Sequence, residues 1–472
     1  MSGTTGPRPL DIAILGPGIL LLWLLVTVNH WGGATWAIQA AGILFPFLIA
    51  VQALKVRKGR LMFVAVGLAL IVLAIATRDD WIMQVRAAFE RSAFIMAYFA
   101  ALATLQHAAD TSPSIARCGL FLAHQPPGRR YLALTAGAHM FAVPLNYGAI
   151  ALLGSLSTAS AADEPDEVVR NHRVRRMLLA IQRGFSGMLT WSPLAFAVVI
   201  ATVLLPDLVW ARAVPYALIT SGLMIGIGWA LDTIFKPRIP GRPTMVATSD
   251  YGTWATILPL LSLLVVLMGT AIGLHEATGM RVTSIILVIV PLIAVGWFAI
   301  QGPAGTRAGY LGQRTSKLVR DDLPGFREEF LLMGMAGFIG ALGATLLTPL
   351  VQSTGLTLDR LPAWAALVAL VWLVPLGGQL GMSPLLATTL MFPIIPHPEV
   401  IGVSSTAVFV ALTGGWTLGA ISSPFAAPTL LLARFGSVPP RHVSWRWNGA
   451  YTILSGLAIS AYVSAIAIFG LA

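Results

Sequence analysis

Two Ser-Pro dipeptides, Ser192-Pro193 and Ser423-Pro424, each lie inside a stretch that otherwise carries almost no charge. Proline removes one backbone N–H and crowds the carbonyl four residues back, so a helix crossing either point is interrupted. The freed main-chain groups and the adjacent hydroxyl then face whatever lies at the break. A half-helix starting there offers N–H groups and partial positive charge to an anion. One ending there offers carbonyls to a cation such as Na+. Two further polar interruptions lie upstream. They are Pro144-Leu145-Asn146-Tyr147-Gly148 and Gly381-Met382-Ser383-Pro384, the second followed by Thr388. Thr413 and Ser422 belong to the segment that leads into the second Ser-Pro. These residue types suit reversible binding of a small solute or ion.

Arg183 is the most informative charge. It stands nine residues before Ser192 in an apolar segment, and an ionisable residue within a span marks a functional site by default. Three roles are open: holding an anionic solute, stabilising an empty site between ion-coupled steps, or reaching back along its stem to the basic loop upstream. His139 either relays a proton or is a hydrogen-bonded structural residue. Asp232, four residues before Lys236, reads as interfacial. The single cysteine, Cys118, excludes an internal disulfide, and no Cys/His cluster has zinc spacing. No P-loop, nucleotide fingerprint or metalloenzyme motif is present. The expectation is a non-enzyme with no metal and no cofactor, Na+ remaining possible as a coupling ion.

The chain that must position these residues has 472 residues, 57% hydrophobic and 10% charged. A soluble domain carries roughly 25% charged residues, so secreted, disordered and nucleic-acid-binding readings fall away. The net charge of +11 sits in short loops between apolar spans, where membrane topology accounts for it. One bilayer crossing needs ~20 apolar residues. Full crossings are read at 12–30, 34–54, 61–77, 92–109, 178–204, 214–234, 253–274, 282–300, 330–352, 402–432 and 449–471. The interrupted stretches 131–155 and 364–397 read as re-entrant hairpins, allowed where protein or water surrounds them. With the N-terminus cytoplasmic, 23 of the 30 Lys and Arg fall on cytoplasmic loops. A crossing at 131–155 would move Arg170, Arg173, Arg175 and Arg176 outside and weaken that bias. The expected fold is an all-α polytopic protein of the cell inner membrane with eleven transmembrane helices, two re-entrant hairpins and an external C-terminus.

Residues 180–195 (AIQRGFSGMLTWSPLA) and 411–426 (ALTGGWTLGAISSPFA) match at a constant offset of 231, pairing Gly184 with Gly415 and Ser192-Pro193 with Ser423-Pro424. In the topology above the two run in opposite directions, which predicts an inverted repeat, common in secondary transporters. The expected organisation is an extra helix at 1–33, a first repeat at 34–234, a cytoplasmic linker at 235–252 and a second repeat at 253–472. The first repeat holds the hairpin 131–155 and the broken helix 178–204. The second holds a cytoplasmic arm at 301–329, the hairpin 364–397 and the broken helix 402–432.

The hairpin tips and both Ser-Pro breaks, above all GQLGMSPLLATTL (378–390) and LTGGWTLGAISSPFAAPTLLL (412–432), resemble the ion transporter superfamily. This group includes divalent anion:sodium symporters and the large membrane subunit of TRAP transporters. The resemblance implies a transport domain of hairpins and broken helices that moves, elevator-like, against a dimeric scaffold. The symporters carry Ser-Asn-Thr at both tips; here the tips read Val143-Pro144-Leu145-Asn146-Tyr147 and Met382-Ser383-Pro384-Leu385. The expected function is secondary active transport of a small anionic solute coupled to Na+ or H+. The alternatives are a cation/proton antiporter of the same fold and a membrane subunit of a larger assembly. Expected partners are the lipid bilayer, the solute and a second copy in a homodimer, with an accessory transport subunit left open and no nucleic acid.

Overall fold

The computed structural model describes residues 9–126, 128–162, 164–205, 207–235, 252–303, 305–354, 361–382, 384–391 and 398–471. Among them none is in a β-strand. The helices of the first half are α1 (Pro9–Gly32), α2 (Thr35–Ala53), α3 (Lys58–Thr77), α4 (Trp81–Asp110), α5 (Pro113–Ala123), α6 (Arg130–Leu145), α7 (Tyr147–Ala162), α8 (Glu167–Met188), α9 (Phe196–Leu204) and α10 (Trp210–Ile234). Those of the second half are α11 (Leu258–Thr278), α12 (Val282–Gln301), α13 (Arg307–Lys317), α14 (Leu323–Gly325), α15 (Arg327–Thr354), α16 (Ala363–Gln379), α17 (Pro384–Met391), α18 (Ser405–Ser422), α19 (Ala427–Phe435) and α20 (Gly449–Phe469).

Among the described residues ten helices are long and apolar enough to cross a membrane. The chain is a multi-pass helical membrane protein. These ten correspond to ten of the eleven expected crossings. The remaining one, 178–204, is divided between α8 and α9, and 402–432 is likewise divided between α18 and α19. Proline 193 and the turn around it separate α8 from α9, so no single continuous helix spans 178–204.

The helices gather into two compact units that cut across the two halves of the chain. One comprises Met1–Ala108, Thr270–Thr357 and Thr389–Ile395; the other comprises Ala109–Gly269, Leu358–Thr388 and Pro396–Ala472. In the first unit α4 is the central helix, its apolar residues from Ala93 to Ala103 buried. Phe89 stacks on Phe338 of α15 at 4.9 Å, and Phe99 meets Phe330 edge-on at 4.8 Å. At the end of α4, His107 lies 2.5 Å from Asp322 in the π-helical turn Leu318–Asp322. The amphipathic α13 rests Tyr310 and Leu311 on Ala294 and Phe298 of α12. The expected arm at 301–329 is thus α13, this turn and α14.

The second unit contains α5 to α10, the first part of α11, α16, α18 to α20 and the start of α17. The stretch 131–155 is not a straight rod. Chain direction changes at Asn146, with φ at +47°. A Cβ on Gly137 of α6 would lie 2.3 Å from Leu122, and one on Gly119 would lie 2.8 Å from Leu156 of α7. Residues well before and well after Asn146 therefore meet the same turn of α5, so α6 and α7 lie side by side. Cys118 is buried within α5. Helix α10 runs antiparallel to α8: Trp210 bonds Trp191, Thr190 bonds Ala217, and Arg176 bonds Asp232. Helix α20 runs antiparallel to α10 in turn, with Tyr451 near Gly228 and Tyr462 bonding Tyr216.

Candidate functional site

The first broken helix is seated by a glycine. A Cβ on Gly184 would fall 2.1 Å from the Thr135 carbonyl oxygen, so only glycine lets α8 approach α6 this closely. One turn on, His139 of α6 bridges to the break. Trp191 Nε1 donates to His139 Nε2 at 3.1 Å, and the two rings stack at 5.7 Å. Since Nε2 accepts, the neutral ring carries its proton on Nδ1, which donates to the Gly184 carbonyl at 3.2 Å. Both ring nitrogens are engaged. Helix α8 ends at Met188 and α9 begins at Phe196. Between them Ser192 Oγ accepts from Leu194 N at 3.3 Å, and Ser192 through Ala201 are buried, Pro193 included.

At the tip of this hairpin Pro144 sits in the last turn of α6. Asn146 N donates to the Ala142 carbonyl at 2.9 Å. Asn146 Oδ1 is buried and makes no hydrogen bond. Tyr147 packs against Phe185 of α8 at 5.4 Å, and Gly148 follows in the first turn of α7.

Arg183 does not reach out of the protein: it is 4% exposed. Its Nη1 donates to the Tyr131 hydroxyl at 3.0 Å and to the Gly228 carbonyl at 3.1 Å. Its guanidinium lies 4.4 Å from the centre of the Tyr451 ring. Nε is buried without a partner. All these neighbours are neutral. Two turns earlier on α8, Arg176 has the carboxylate that Arg183 lacks, binding Asp232 through two bonds of 2.8 and 2.7 Å. Gly228, one turn before Asp232 on α10, offers Arg183 only a carbonyl.

The second set uses the same frame. Helix α16 runs parallel to α18 at a constant spacing of 45 residues. Gly415 faces Leu370, Gly419 faces Val374, and Gly378 faces Ser423. His139 and Gly184 in the first set are also 45 residues apart. A Cβ on Gly415 would sit 2.8 Å from the Leu370 carbonyl, so the glycines paired in the sequence do the same job. Helix α16 stops at Gly381, whose φ of +93° suits a residue without Cβ. Met382 N donates to the Gly377 carbonyl at 3.1 Å and Gly381 N to that of Gly378 at 3.4 Å, the paired bonds of a Schellman cap.

Ser383 lies outside the described residues. Pro384 opens α17 and is buried. Thr388 Oγ1 and Ser422 Oγ are buried without partners. Ser423 Oγ donates to the Gly378 carbonyl at 2.9 Å and accepts from Phe425 N at 3.2 Å, while Gln379 donates to the Ser422 carbonyl at 3.0 Å. Pro424 is buried. Thr413 Oγ1 bonds back to the Phe409 carbonyl at 2.9 Å within α18.

The structure therefore joins each tip's arm to its own break. It also reveals residues that sequence reasoning passed over. Gln182, beside Arg183, accepts from Asn448 Nδ2 at 2.8 Å and donates to Thr429 Oγ1 of α19 at 3.4 Å. Tyr131, Gly228 and Tyr451 enclose Arg183. The only forewarning was two adjacent polar residues, Gln182 and Arg183, in an apolar span. Among the described residues no cluster of His, Cys, Asp or Glu could hold a metal ion.

No family model matches the chain, and no curated protein sequence matches it. Solved structures do. The YdaH transporter of Alcanivorax borkumensis is similar over 88% of this chain and 99% of its own, at 14% identity and a TM-score of 0.56. MtrF of Neisseria gonorrhoeae, described within a class of antimetabolite efflux pumps, is similar over 87% and 95%, at 11% identity and a TM-score of 0.57. At such identities the likeness is one of fold.

Proposed function

We propose that the chain is a secondary active transporter moving a small anionic solute across the membrane, coupled to Na+ or H+. The observation that carries this reading is Arg183, a guanidinium enclosed among neutral groups. It shares a compact unit with both hairpin tips and both interrupted helices. A buried cation without a counter-charge costs several kcal/mol, and an arriving anion offsets that cost. The free Nε and the planar fork suit a carboxylate-like group. The unpartnered oxygens Asn146 Oδ1, Thr388 Oγ1 and Ser422 Oγ suit a hard cation, as broken-helix carbonyls do in other carriers.

Helices α10 and α20 each follow a broken helix, yet they run antiparallel to each other. This supports an inverted repeat. In the proposed cycle the unit with hairpins and breaks carries the solute while the other stays fixed within a homodimer, an elevator arrangement. The chain sits in the cell inner membrane with its N-terminus cytoplasmic and its C-terminus external. The fold likeness to an efflux pump makes export the first direction to assay.

The test is flux of labelled organic and inorganic anions into liposomes holding the purified protein, under an imposed Na+ or pH gradient. Gradient-dependent uptake that vanishes in Arg183→Gln is the expected result. Gradient-dependent flux untouched by that change would remove Arg183 from the mechanism, and no anion flux at all would sink the reading.

A further inference from the structure

The turn between α19 and α20 has a use that solute transport does not explain. Glu399 is the last acidic residue of the chain, and Arg434, Arg441 and Arg446 follow it. All three are exposed and, among the described residues, none has a carboxylate partner. By contrast, Arg57 and Arg60 lie beside Glu328, and Arg176 is paired with Asp232.

The turn is a shaped platform. Residues His442–Trp447 wind as a π-helix. Asn448 N closes onto the Val443 carbonyl at 3.1 Å, and Ser444 Oγ onto that of Pro440 at 3.1 Å. Val443 and Ser444 face inward, which turns Trp445, 64% exposed, and its neighbour Arg446 outward. Behind them Arg175 of α8 lies 5.9 Å from the Trp447 ring centre and adds positive charge.

An indole with an apolar body and one N–H belongs at headgroup depth, and guanidinium forks bind phosphate oxygens in pairs. We infer that this turn is a binding site for the headgroup of an anionic phospholipid, gripped by Arg441 and Arg446 with Trp445 seated in the acyl boundary beside it. A free phosphate supplies the charge but nothing for the indole to enter. The site also connects inward. Asn448, the next residue, holds Gln182, and Tyr451 lies under Arg183. Headgroup occupancy therefore steadies the floor of the Arg183 enclosure.

The test is thermal melting of the full chain in neutral detergent, titrated with phosphatidylglycerol, phosphatidylcholine or inorganic phosphate. Phosphatidylglycerol raises the melting temperature saturably by several degrees, and raised salt weakens the shift. Phosphatidylcholine and inorganic phosphate do neither. The double variant R441Q/R446Q melts like the parent without lipid, since both side chains are exposed, and loses the shift. A control pair on α13, R314Q/K317Q, keeps it. The inference is overturned by an equal response to phosphatidylcholine, by a shift reproduced with inorganic phosphate, or by a full response in R441Q/R446Q. In the parent alone, a phosphatidylglycerol shift indifferent to salt would do the same. None of these readings depends on solute flux.

Discussion

The two hairpin-and-break sets share one frame and differ in what fills it. In both, the first hairpin arm lies parallel to its broken helix, with a glycine at the closest approach. In the first set the frame carries buried polar side chains: Arg183 inside, His139 locked to Trp191, and an asparagine tip with a buried free oxygen. In the second, Gly414 stands at the position matching Arg183 and Leu370 at that of His139. There the contacts are serine to carbonyl, and Leu380 and Phe425 stand 80% and 50% exposed at tip and break. The symmetric part is backbone geometry, and the asymmetric part is charge. Both sets keep the glycine at the close approach and the Ser-Pro at the break, while the buried charge stands in the first alone.

The largest expected effect tests the frame. Gly184→Ala drives a methyl into a main-chain carbonyl 2.1 Å away, at the upper end of overpacking costs, about 3 kcal/mol. The looser 2.8 Å approach at Gly415 predicts about 1 kcal/mol for Gly415→Ala. Folded yield on size exclusion and melting in detergent should rank them in that order; equal losses would mean the frames are seated alike. Next is charge. Arg183→Gln should lower anion flux by about 100-fold, the equivalent of roughly 3 kcal/mol for losing one partner of a buried ionic contact. Arg183→Lys should fall between, keeping the charge without the fork. The matching change in the second set, Gly414→Ala, should leave solute affinity alone.

Smaller effects separate the serines. Ser423→Ala removes a 2.9 Å donation to Gly378 and should cost about 1 kcal/mol. Ser192 only accepts, from Leu194 N at 3.3 Å, so Ser192→Ala should cost about 0.5 kcal/mol. Chemical denaturation reads both, and a reversed order would show that the first break depends on its hydroxyl more than its geometry suggests. Smallest of all, Leu380→Ser and Phe425→Ser change exposed side chains and should shift stability by no more than about 0.5 kcal/mol. Any loss of flux at unchanged stability would give the second tip a part in handling solute.

Much of this frame was legible because proline in a low-charge stretch has few other readings. The breaks at Pro193 and Pro424 and the turn at Asn146 lie where those residues pointed. Helix α4 begins at Trp81, well before the expected 92, because Arg86 and Glu90 pair at 3.1 Å on its own surface and so do not end it. Helix α5 went unseen. It has eleven residues with Arg117 among them, too short and too charged for a span, although Ser112-Pro113 is a good helix opening. The enclosure of Arg183 was illegible in principle. Tyr131, Gly228 and Tyr451 lie on three other helices, and no local pattern links them to α8.

Cys118, alone and buried in α5, has a practical corollary. Thiol reagents find little to react with in the native chain, so a cysteine introduced at Leu380 or Trp445 becomes the addressable one. Spin labels or fluorophores placed there, singly or in pairs, can test whether the second tip and the basic turn move, without first stripping the protein of its own sulfhydryl.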